Sequence, residues 1–166
     1  YYRAIFFTLG KICLMKKLFL LLFLIPNLVS AEEQMIPVAE YTAANTKWQS
    51  NLYETLYVAT RCGTVYLEAH RQIEDSTSAA SKDLFKKSHT ILLNTADYID
   101  AMFEENAVDY LTQTLENEMN EIHAFYKQEV PISYKGNNTF EGLVEDDMNA
   151  CESYFGFFEG LLREAV

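Results

Sequence analysis

Three histidines, three cysteines and 24 carboxylates could do chemistry in this chain, and their spacing restricts which chemistry. A di-iron centre in a helical protein calls for Glu-x-x-His on each of two helices. Leu67, Lys86 and Asn120 stand three residues before His70, His89 and His123, so the motif is missing. Cys-x-x-Cys-His is missing too, which removes covalent haem. Non-covalent haem needs an axial pair such as Met148 with His70, but a methionine on an apolar stripe is usually core filler. Zinc wants clustered His and Cys. Here the histidines are scattered singly, and His123 fits a satisfied residue at the border of a stripe. Asp97, Asp100, Glu104 and Glu105 form one acidic group; Glu141, Glu145, Asp146 and Asp147 form another. Either could hold a hard cation through oxygen, yet neither matches an EF-hand loop. A solvated face with acids placed for the helix dipole is the simpler reading. There is no Gly-x-Ser-x-Gly for a serine nucleophile. The sequence therefore calls for no catalytic residue, no metal and no cofactor.

The cysteines gain their meaning from the start of the chain. Residues 15–31 read as Met-Lys-Lys, an apolar core over 18–25, then Pro26-Asn27-Leu28-Val29-Ser30-Ala31. This is the anatomy of a secretory signal peptide with cleavage after Ala31. The core is too short for a bilayer, which needs roughly 20 apolar residues, so no stable membrane anchor is expected after cleavage. Residues 1–14 precede the first methionine and read as an upstream extension outside the fold. The expected mature chain is a single helical domain over 32–166 in the periplasm or secreted. It keeps nine of the basic and all 24 acidic residues, a formal charge of −15. Such a charge argues against nucleic acid and against anionic membrane surfaces. Cys13 is lost with the leader. Cys62 and Cys151 remain, and an even pair in an exported chain reads as one disulfide.

The elements that must position these residues are helices, because the apolar residues recur at three and four. After an arm at 32–39, a first helix is expected over 40–74, striped by Trp48, Leu52, Leu56, Ala59, Cys62, Tyr66, Ala69 and Ile73, with Asn45-Thr46 able to interrupt its first turns. A second, capped by Ser81, covers 82–103. A third covers 107–129, its stripe including Met119, Ile122 and Phe125 or Tyr126, and Pro131 stops it. A turn-rich loop fills 130–139. Thr139 then caps a fourth helix over 140–163, striped by Val144, Met148, Cys151, Phe155, Phe158 and Leu162. Short joins predict an all-α, antiparallel up-down-up-down four-helix bundle. In that topology the end of the first helix and the start of the last share one end of the bundle. Cys62 and Cys151 then lie at matching depth, about 17–18 Å in at 1.5 Å per residue. A disulfide between first and last helix needs no distortion.

Tyr154, Phe155, Phe157 and Phe158 cannot all be buried by one side of a helix. With Tyr57 on the first helix, Tyr154, Phe157 and Phe158 mark a surface for a ligand, a partner protein or a sister subunit in a homodimer; the alternative is the 32–39 arm folding over them. Gly63, Gly142, Gly156 and Gly160 in helical segments point either to close helix approach or to room for a ligand. The run Cys62-Gly63-x-x-Tyr66 with Asp147-x-x-x-Cys151 resembles small exported bacterial helical proteins of uncharacterised function. That resemblance implies an exported helical fold and carries over no activity. The expected function is a non-enzymatic binding or interaction module for a protein or small ligand; the alternative is a metal- or haem-binding periplasmic bundle.

Overall fold

The computed structural model of the chain describes residues 35–102 and 105–164. The expected extension at 1–14 and leader at 15–31 lie outside the described residues. The described chain runs through α1 (Val38–Ala44), a 3₁₀ turn (Trp48–Ser50), α2 (Leu52–Gln72), α3 (Ala79–Met102), α4 (Glu105–Ser133), β1 (Tyr134–Gly136), β2 (Thr139–Phe140) and α5 (Leu143–Glu164). Among the described residues the fold is helical apart from one small hairpin. Cys62 and Cys151 are joined, with Cα atoms 5.4 Å apart.

Among the described residues five helices stand where four were expected, because the expected first helix divides. Two asparagines divide it. The Asn45 side chain and backbone both donate to the Tyr41 carbonyl at 3.0 Å and close α1. The Asn51 Oδ1 accepts from the Glu54 N–H at 3.3 Å and opens α2. Short polar side chains favour helix ends for this reason. Trp48, freed from the helix, folds inward and is 5% exposed.

Other boundaries shift for local reasons. α3 begins before the expected Lys82, capped by Ser78, whose Oγ accepts from the Ser81 N–H at 3.2 Å. Ser81, the expected cap, is buried and pairs with His70 Nδ1 at 2.7 Å. Pro131 does not stop α4, which runs two residues past it to Ser133 at the loss of one intrahelical hydrogen bond. The expected loop contains the hairpin. Asn137 and Asn138 take φ of 48° and 62°, as a two-residue hairpin turn requires of both central residues. Thr139 lies in β2, so α5 starts at Leu143, not at residue 140.

The core centres on α2. From Val58 to Tyr66 every residue is buried, so α2 is enclosed round its whole circumference, not along one stripe. Gly63 is where α3 comes closest: a Cβ there would lie 2.5 Å from Leu92 Cγ. Gly156 and Gly160 face open space, so close approach does not explain them. Met119, expected inside, is 43% exposed, and Ile122, Tyr126 and Val130 carry the inner face of α4. Among the described residues no helix is long and apolar enough to cross a membrane.

Candidate functional site

The most concentrated polar chemistry lies where α2, α4 and α5 meet. Arg61 precedes Cys62 on α2, Asp147 lies one turn before Cys151 on α5, and Tyr126 comes from α4. All three side chains are fully buried. Arg61 Nη2 donates to Asp147 Oδ2 at 2.6 Å. Arg61 Nε donates to the Tyr126 hydroxyl at 3.2 Å, and that hydroxyl donates in turn to Asp147 Oδ2. None of their polar atoms is left buried without a partner.

The remaining valences reach the arm. Arg61 Nη1 donates to the Ile36 carbonyl at 2.7 Å. Asp147 Oδ1 accepts from the Val38 N–H at 2.6 Å. Val38 is the first residue of α1, and the residue before it is Pro37, which offers no side-chain cap. The opening N–H groups of a helix have no partner within the helix. Asp147 supplies one from α5, so the ion pair also caps α1 and fixes the arm. Burial works against the Arg61 charge, but Tyr126 and Asp147 outweigh it and hold the guanidinium firmly protonated. Burial pushes the Tyr126 hydroxyl well up, and Asp147 adds to this against the opposing pull of Arg61.

Around this node the sequence-predicted aromatics separate. Tyr57 is half-buried between the Tyr41 ring, 4.4 Å away between centroids, and the Arg61 guanidinium, 5.8 Å from its centre. Tyr154 is half-buried, its hydroxyl 2.6 Å from Thr42 Oγ1 on α1. The Trp48 ring lies 5.0 Å from Tyr154 and 5.1 Å from Phe157. Phe158 is fully buried and belongs to the core. Tyr154 also lines a shallow open groove of about 490 Å³ between α1 and α5, with Glu40, Asp146, Asn149 and Ser153. Cover over these rings comes from α1 and Trp48.

The acidic groups behave differently from one another. Asp97, Asp100, Glu141, Glu145 and Asp146 are exposed, as a solvated face requires; Glu104 lies outside the described residues. Asp147 is the exception: it is buried, against the expectation of a solvated face. Its spacing carried the signal: a residue four before an inward Cys151 lies on the same face. Arg61 gave less warning, since an arginine beside a buried cysteine usually turns outward. His123 Nε2 sits 3.2 Å from Glu68 Oε1, which Arg71 also contacts. Among the described residues no three of His, Cys, Asp and Glu are grouped to hold a metal ion.

No family model, curated protein or solved structure matches this chain.

Proposed function

We propose that the protein is an exported, non-enzymatic binding or interaction module. It is built as an antiparallel up-down-up-down bundle of α2 to α5, with α1 as a clasp. The pairings that support this topology come in register. On α2 and α5, Tyr66 meets Met148 while Cys62 meets Cys151. On α2 and α3, His70 meets Ser81 while Gly63 meets Ser88. Numbers rise on one helix as they fall on the other. On α2 and α4, Tyr53 meets Glu118 and Arg61 meets Tyr126, both rising together.

The observation that carries the reading is the use made of the interior polar groups. Arg61, Asp147 and Tyr126 spend their hydrogen bonds on one another and on the arm's backbone. They stand beside a disulfide that an oxidising compartment would maintain. This is reinforcement of a scaffold, which leaves recognition to the surface. Absorbance and metal analysis of purified protein test it. A folded, colourless, metal-free sample, with a natural product cleaved before Glu32 and carrying no free thiol, is the expected result. A haem band or a stoichiometric metal overturns it in favour of a cofactor-carrying bundle, and an uncut leader overturns the export.

A further inference from the structure

The outward face of α3 carries basic residues toward one end and acidic residues toward the other, placed about position 91. Phe85 and Leu93 are large apolar residues left 48% and 47% exposed, and His89 lies between them on the same face. Lys82 and Lys86 stand toward the N-terminal end of this face, and Asp97 and Asp100 toward the C-terminal end; all four are exposed. Steps of three and four keep these positions in line along the helix. Among the described residues none of the four charges is in an ion pair.

We infer that this face is a homodimer interface, in which α3 packs antiparallel against α3 of a second copy, crossing near position 91. The inference rests on the reading of the chain as an interaction module and names its partner. In that crossing Lys82 meets Asp100 of the other copy, Lys86 meets Asp97, and His89 meets Leu93. Each contact occurs twice, as a two-fold interface demands. A foreign partner gives no reason for a helix to carry two basic and two acidic residues at nearly matching distances either side of one position. Self-association requires that arrangement, and in a chain so acidic it also supplies the local attraction that overcomes overall repulsion. The face spans about 27 Å of helix at 1.5 Å per residue. One helix on each side is small against the ~1,200–2,000 Å² of stable complexes, so the association is weak and salt-sensitive.

Sedimentation equilibrium of the oxidised protein, with two charge-reversed variants, tests this. The wild type is expected to dimerise reversibly, with weaker association as salt rises. Lys82→Glu with Lys86→Glu makes the face wholly acidic; Asp97→Lys with Asp100→Lys makes it wholly basic. Each double variant alone should dimerise at least tenfold more weakly. Mixed in equal amounts they should form a heterodimer at least as tight as the wild-type dimer, since all four cross-pairs become attractive. Circular dichroism checks that each keeps its helices. A wild type still monomeric at about 1 mM, or a mixture no more associated than its components, overturns the dimer. Neither result touches the module reading, which falls to a bound cofactor instead.

Discussion

Replacing Asp147 by Asn separates the two jobs of its carboxylate while keeping its shape. The amide can still accept from the Val38 N–H through one oxygen. It then turns an NH₂ group toward Arg61 Nη2, donor against donor, and leaves a guanidinium fully buried without its counter-charge. Flipping the amide restores Arg61 an acceptor but strands the Val38 N–H. Removing one partner of a buried ion pair costs about 3–5 kcal/mol, and a single orphaned buried group about 1–3 kcal/mol. The first figure applies here because Arg61 is held protonated and has no path to solvent. A domain of this size has about 5–15 kcal/mol in total. The expected effect is a fall of roughly 10–20 °C in melting temperature, at a few degrees per kcal/mol. The assay is thermal and urea denaturation of Asp147→Asn, Arg61→Met, Asp147→Leu and the double variant Arg61→Met/Asp147→Leu. The double variant should recover most of the loss, because apolar residues of similar volume replace a buried pair at little cost. Proteolysis within α1 should speed up in the double variant, which loses the acceptor for the Val38 N–H, and less in Asp147→Asn, whose amide oxygen keeps it. Single variants costing under about 1 kcal/mol, or a double variant as unstable as the sum of the two, would refute the argument.

Three further outcomes are expected. Replacing both cysteines by serine opens a covalent loop spanning 89 positions, for which the chain-entropy estimate is about 4.5 kcal/mol; thermal melts should show the loss with helix content kept, and an unchanged melting temperature counts against the bridge. Gly63→Ala should destabilise by about 1–3 kcal/mol, because the new methyl meets Leu92, whereas Gly156→Ala and Gly160→Ala, in open space, should each stabilise by roughly 0.5–1 kcal/mol; denaturation curves of opposite sign decide this. At high pH, burial and then Glu152 push the Tyr66 hydroxyl up, and burial raises Tyr126 as well. The folded chain then holds protons that the unfolded chain releases near pH 10, so stability is complete below that pH. It falls above it by about 1.4 kcal/mol per pH unit for each retained proton. Tyrosinate absorbance should rise partly in step with helix loss, and a single smooth titration near pH 10 with helices intact contradicts it.

Where burial follows periodicity, the chain was legible. Cys62, Tyr66 and Ala69 on one helix and Val144 and Cys151 on another are inward by their spacing, and all are buried; Phe158, on a stripe but also expected on a partner surface, is buried too. Asp147 and Arg61 are not legible in this way, because a rule that sends charge outward holds for each alone and fails for the pair. Only a partner at 2.6 Å makes either tolerable inside. Asn45 marks the break in the first helix, but the role of Trp48 over Tyr154 and Phe157 depends on contacts made only after the helix divides. Ser81 had the composition of a cap, but His70 takes its hydroxyl and Ser78 caps instead.

The helical class, the order and rough extent of the long helices, and the pairing of Cys62 with Cys151 were legible in the order of residues alone. The helices depend on spacing along one element, since a period of 3.6 residues is a property of neighbours in the chain, and the pairing follows from there being two cysteines after residue 31. Tertiary structure alone decided that α2 is enclosed on every side, that an ion pair lies at its middle, and that this pair caps a fifth helix through the Val38 N–H. Each of these is a meeting of residues far apart in the chain, 109 positions for Asp147 and Val38. The energy of such a meeting belongs to the contact and cannot be read from either residue's local surroundings.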